Sequence, residues 1–404
     1  MILEPVHAFA DRLLSSLDPL WPHPSGLEPR LHHRTSDFLL YWSLPDAASQ
    51  GFTRILPSHL ISFQSHHRHA VENFQEHSRE FLGKPIRDLG LKIEGSPVER
   101  FVQQLYSELA SKGLAKFRPG FYLTDEWGCP SGEPIIGIPF YLANQELSAF
   151  EREMNDLEDK REIMMYFRHE AGHAFNYAYK LYRTPDWKTL FGPFRRRYLD
   201  NYRPIPFSRN YVRHLAGWYA QKHPDEDFAE TFAVWLTPRS SWRKRYRGWG
   251  AMNKLLYMDR IARELGNIDP VRRRGYPDVT VEEMDSTVAE FYRQSVTETI
   301  PIVDLALDAD LVDIFNVSKR RKKTVRPAQE FLHQHRKVVV DKVAYWTGVQ
   351  RPLVKKLIEA IETRVGELGL RVDTERESDH LAEITVYATT LATNYMTRGK
   401  FVQP

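Results

Sequence analysis

FRHEAGHAFNY, Phe167–Tyr177, carries two histidines and a glutamate in the order H-E-x-x-H. On an α-helix, residues four apart share a face, so His169 and His173 project side by side, one turn apart. Two imidazoles so placed can fill two corners of a tetrahedral Zn²⁺ site. Glu170 points about 100° round the helix from His169. There it can serve as general base in metal-assisted hydrolysis without ligating the metal.

The residues around the motif favour a buried helix. Ile163, Met164, Phe167, Ala171, Ala174, Phe175 and Ala178 make it apolar over much of its surface. Buried His and Glu are costly unless paired or ligated. Two core histidines bonded to backbone are the bland alternative. Ala171-Gly172 lets a neighbouring backbone come close.

A catalytic zinc needs a third protein ligand and an open position. One extension of the motif places a third histidine six residues on, but Asn176 and Tyr179 stand at the corresponding positions, so that route is closed. The better source is HPDEDFAETFAVWL, residues 223–236. Pro224 can open a helix, and Asp225, Glu226 and Asp227 suit its first turn. Glu226 and Glu230 share a face, which predicts Glu226 as third ligand and Glu230 as hydrogen-bond acceptor for a ligand histidine. Asp227 with Thr231 is the competing register.

HEAGH, followed some fifty residues later by EDFAETFA, resembles the gluzincin metallopeptidases, whose third ligand is a glutamate on a second helix. More narrowly, RHEAGHAFNYAY with HPDEDFAETFAVWL resembles the bacterial putative zinc-binding metallopeptidase family. The resemblance covers roughly residues 119–240. It implies His169, His173 and Glu226 as zinc ligands and Glu170 as the catalytic glutamate. EDFAETF is also similar to the ligand helix of the lethal-factor protease domain, where a tyrosine seven residues before the glutamate lies in the active site. That implies Tyr219 here, as a donor to the oxyanion of a tetrahedral intermediate. His214 and His223 are rivals for the role.

The rest of the chain sets the frame. With 404 residues, 42% hydrophobic, 27% charged and 12% aromatic, it reads as globular with two or three units. The expected fold is α+β and mostly helical. A zincin-like core with a small sheet is expected over 96–300, between an N-terminal helical region (1–95) and a C-terminal helical domain (301–404). PGFYLTDEW and PIIGIPFYLA read as strands. The second is a candidate edge for binding an extended peptide, Pro139 suiting such a position. Helices are expected over 146–158, 159–182 and from Pro224 to Leu236.

Nine of the sixteen histidines fall before residue 80, including QSHHRHA, at no zinc spacing. The basic runs RRR (195–197), WRKRYRGW and VRRRGYP read as solvated surface, and SKRRKKTVRP (318–327) as a linker. The formal net charge is +3, there is one cysteine, Cys129, and no apolar run approaches a membrane span. A cytoplasmic hydrolase acting on a peptide or protein is the expectation. Neither a membrane nor a nucleic acid is the expected partner. The rival reading is a catalytically silent zinc-stabilised module that binds a protein or nucleic acid.

Overall fold

The structure is a computed structural model, and it describes residues 81–155, 157–199, 202–294, 307–315 and 324–398. The helices expected before residue 80, the QSHHRHA histidines and most of the 318–327 run lie outside the described residues. Internal contacts group the chain into two units, 1–90 with 281–300 and 91–280 with 301–404. In the first unit, a 3₁₀ turn at Ile86–Leu89 hydrogen-bonds to the 284–288 segment through Ile86 N–H to Ser286 O (3.0 Å) and Arg87 N–H to Met284 O (3.2 Å). Ile86, Val281, Met284, Val288 and Tyr292 are buried there.

The second unit is α+β and mostly helical. Helix α1 (Glu99–Ser111) leads to strands β1 (Gly120–Thr124) and β2 (Ile135–Pro139), which pair in parallel, Gly120 opposite Ile135. Gly137 has no room for a side chain, since a Cβ there would sit 2.7 Å from Thr124 Cγ2. On β2 the Gly137 position also exchanges backbone hydrogen bonds with Gly128. That bridge occupies the edge expected to be free for a peptide. It is the Trp127–Ser131 segment, rather than β2, that lines the pocket described below.

Helices α2 (Gln145–Asn155) and α3 (Lys160–Tyr179) follow. Helix α3 begins at a full capping box: the Asp159 carboxylate accepts from the N–H groups of Arg161 and Glu162, and the Glu162 carboxylate accepts from Asp159 N–H. It ends at Lys180 in the left-handed conformation, φ 53°. After a short helix α4 (Pro185–Phe191), irregular stretches at 192–199 and 202–215 and a 3₁₀ segment at Ala216–Gln221 precede α5 (Pro224–Leu236). Pro224 is the first residue of α5, and every residue of that helix is buried. Helices α6 (Trp242–Arg245) and α7 (Ala251–Leu265) close this part.

Helices α3 and α5 are the centre of the unit. A Cβ on Gly172 would fall 2.7 Å from Ala229 Cα and 3.1 Å from Phe232 Cβ, so the motif's glycine is what lets the helices meet. Phe175 and Phe232 extend the contact, their rings 5.2 Å apart. On the far side of α5, Asp227 pairs with Lys254 of α7 (2.5 Å).

The C-terminal part continues the same unit. Three helices, α8 (Ala328–Thr347), α9 (Arg351–Glu367) and α10 (Glu377–Arg398), bury Phe331, Val340, Val343, Leu357, Ile361, Ile384 and Leu391 together. They are not purely helical: β3 (Val325–Pro327) pairs antiparallel with β4 (Arg371–Asp373), so the end of the expected linker is a strand. Two links tie these helices to the centre of the unit. Lys337 bonds Glu162 in the first turn of α3 (2.6 Å), and Trp218 Nε1 donates to Tyr345 O (3.1 Å). Among the described residues, no helix is long and apolar enough to cross a membrane.

Candidate metal centre

His169 and His173 sit one turn apart on α3, and Glu226 sits in the first turn of α5, all buried. The packing at Gly172 turns their polar atoms toward one point. His169 Nε2 lies 3.0 Å from Glu226 Oε2, His173 Nε2 lies 3.3 Å from the same oxygen, and the two nitrogens are 3.2 Å apart. A tetrahedron with metal–ligand bonds of about 2.0–2.1 Å has edges of about 3.3 Å. The triangle therefore fits three corners of a tetrahedral zinc site. Two imidazoles and a carboxylate also form a common donor set for catalytic zinc. Among the described residues, this is the one group of three or more His, Cys, Asp or Glu side chains so arranged.

Each imidazole is oriented from behind. His169 Nδ1 faces Glu230 Oε1 at 3.0 Å. Glu230 is fully buried and also accepts from the backbone N–H groups of His214 (3.1 Å) and Leu215 (3.0 Å). His173 Nδ1 faces Asp225 Oδ2 at 3.1 Å. Asp225 in turn accepts from Asn176 Nδ2 (2.8 Å) and from the Tyr177 hydroxyl. With Nδ1–H donated to a carboxylate, each ring turns Nε2 toward the triangle.

The sequence reading did not assign Asp225, Asn176 or Tyr177 a role. A signal existed: Asn176 and Tyr177 stand three and four residues after His173, on its face of the helix. Asp227, the competing ligand, points to Lys254 instead, because one residue's advance on α5 turns it toward α7. Thr231 donates its hydroxyl to Asp227 O (2.7 Å), inside its own helix.

The three donors open into a cavity of about 520 Å³. Glu170, Tyr219 and Tyr198 line it, with Cys129 and Ser131 on the wall from the 127–131 segment. Tyr219 leans on His169, ring centroids 5.6 Å apart, and its hydroxyl is 3.3 Å from that of Tyr198. Its two rivals are committed elsewhere. His214 Nε2 bonds Met165 O (2.9 Å). His223 caps α5 by accepting Asp225 N–H at Nδ1, while its Nε2 donates to Arg196 O. Tyr198, unforeseen in the sequence, donates to Glu226 Oε1.

Tyr219 reaches the site because the chain takes a left-handed turn just before it, at Gly217 (φ 78°) and Trp218 (φ 50°). The Trp218 ring packs on Gly348 at the end of α8, so closely that a Cβ there would lie 2.7 Å from Trp218 Cε3. The C-terminal helices thus brace the segment that carries Tyr219.

Electrostatics follow from the burial of so many acids and bases. Burial pulls the His169 imidazole down, but its hydrogen bonds to Glu226 and Glu230 win and bring its pKa to about 9. His173 is likewise opposed by burial and raised well above its ordinary value by Asp225 and Glu226. Burial would raise Glu226, yet the two imidazoles hold it well below the usual carboxylate range. For Glu170 burial outweighs the pull of the two imidazoles and raises it above the ordinary glutamate value. Without a cation, protons on the imidazoles balance the carboxylates. A divalent cation at the triangle would replace them.

No curated protein and no solved structure matches the chain. Residues 138–245, which hold both helices of this centre, match the model of a family described as putative zinc-binding metallo-peptidase.

Proposed function

We propose that the chain is a zinc-dependent hydrolase of peptide or isopeptide bonds. The observation that carries this reading is the triangle of His169, His173 and Glu226 atoms, 3.0–3.3 Å on a side, with Glu170 in the same pocket. Zinc bound there supplies a Lewis acid that acidifies water and polarises a carbonyl.

The chain's own residues divide the remaining work. Glu170 takes a proton from the attacking water and returns it to the leaving amine. Its burial-raised pKa suits a group that must both gain and release a proton. Tyr219 donates to the oxyanion of the substrate. Burial and the nearby Glu226 raise its phenol, which therefore keeps the proton it donates. Glu230 and Asp225 fix the two imidazoles.

Two features support catalysis over a zinc site that only stiffens the fold. The cluster comprises three donors among the described residues, which leaves a fourth position for reactants. Glu170 also faces the cavity without pairing to a base outside it. The test is a cleavage profile on a denatured protein mixture, read as new N-termini. Zinc-loaded protein should generate them, a chelator should stop it, and added zinc should restore it. New N-termini that persist at full rate after complete zinc removal would refute the reading.

A further inference from the structure

The two oxygens of Glu226 have different neighbours. Oε2 faces both imidazole Nε2 atoms, at 3.0 and 3.3 Å. Oε1 accepts the hydroxyl of Tyr198. Tyr198 is itself held in place: its ring lies 5.1 Å from the His223 ring, and Lys222 Nζ sits 4.5 Å over its face. His223 caps the helix that carries Glu226 and bonds Arg196 O, two residues before Tyr198. One short network therefore fixes the phenol relative to the carboxylate.

A carboxylate can ligate a metal through one oxygen or both. Through both, it would bring the metal to five-coordination once water is bound and crowd the position that a hydrolytic centre keeps open for water or substrate. A donor on the outer oxygen competes with the metal for its lone pairs and holds the carboxylate turned away.

We propose that Tyr198 is a positioning residue that keeps Glu226 a one-oxygen ligand, and so keeps the metal four-coordinate when water fills its open site. This rests on the zinc reading given above. It is distinct from the role of Tyr219, whose hydroxyl faces the cavity and Tyr198.

The experiment is Co²⁺ substitution without any substrate. Cobalt alone is added to metal-free wild type, Tyr198→Phe and Tyr219→Phe, and the visible d–d bands are recorded. Their intensity falls as coordination number rises above four. Tyr198→Phe keeps the partly exposed ring and removes only the hydroxyl, and a denaturant melt beside the spectra checks that the fold is kept. Wild type and Tyr219→Phe should share an intense four-coordinate spectrum. Tyr198→Phe should bind one Co²⁺ with severalfold weaker bands. A Tyr198→Phe spectrum matching wild type would overturn the positioning role alone. Loss of Co²⁺ from that variant would overturn it too, by making the phenol part of metal retention. Failure of wild type to bind Co²⁺ would overturn the zinc reading itself, together with this inference.

Discussion

Gly172 of α3 lies so near Ala229 of α5 that a Cβ on Gly172 would be 2.7 Å from the Ala229 Cα. Backbone is at fault on the far side of that contact, so no side-chain rotation can relieve it. The same approach brings Glu226 within 3.0 Å of His169 and Glu230 within 3.0 Å as well. Gly172→Ala should therefore destabilise the protein by about 1–3 kcal/mol, the usual range for overpacking. It should also spread the donor triangle and weaken zinc binding. Chemical denaturation and zinc titration check both. Unchanged zinc affinity would show that the site does not depend on this contact.

The carboxylates behind the imidazoles should be felt as metal affinity. Asp225→Asn and Glu230→Gln each keep shape and remove a charge facing a ligand Nδ1. Each should weaken zinc binding by about 10- to 100-fold. Asp227→Ala should behave differently. It strands the buried Lys254 ammonium, at a cost of about 3–5 kcal/mol in stability, and spares metal affinity. Competition titration with a chromophoric chelator, beside denaturant melts, separates the two classes.

Protons should report on the empty and filled site. In the metal-free fold His169 has a pKa of about 9 against 6.5 when unperturbed. A group whose folded pKa is raised contributes stability fully present below about pH 6.5 and lost as pH rises through about 9. Metal-free protein should thus melt at a lower temperature at pH 9 than at pH 6.5. Zinc-loaded protein, whose imidazoles hold no proton at Nε2, should lack this decline. Calorimetry in buffers of different ionisation enthalpy should show proton release on zinc uptake at pH 7. Zinc binding without proton release would contradict the imidazole–carboxylate account.

Gly348 should matter although it is far from the chemistry in sequence. Its φ is +77°, and a Cβ would strike the Trp218 ring at 2.7 Å. Gly348→Ala is expected to cost about 1–3 kcal/mol and to push the Trp218–Tyr219 turn out of place. Cleavage should slow while zinc affinity stays as in wild type. An equal loss in a Tyr219→Phe background would show that the effect does not pass through Tyr219.

Much of this was legible because helices write their faces into sequence. The Pro224 start and Leu236 end of α5 follow from proline's fit to a first helical turn and from a continuous apolar run. The start of α3 follows from Asp159 and Glu162. His169, His173, Glu226 and Glu230 meet because each pair is four apart on its own helix. Their mutual placement was only an expectation, since no local pattern encodes how two helices cross.

Asp225 was hidden among three acids that all suit a helix N-terminus. Tyr198 lies in the irregular stretch 192–199, where neither helical nor strand period operates, so nothing local marks its approach to Glu226. Strand β3 was masked by a basic run whose charge outweighs the strand signal of Val325. The edge role expected of β2 failed because Gly137 admits the Gly128 backbone beside it.

The central claim is that Glu170 does chemistry at a zinc centre held by His169, His173 and Glu226. The most direct measurement compares the rate of new N-terminus formation on one denatured protein mixture, for wild type and Glu170→Gln at equal zinc content. The predicted result is cleavage by wild type and a loss of about a hundred- to ten-thousand-fold in the variant. Equal rates for the two, or no cleavage by zinc-loaded wild type, would contradict it.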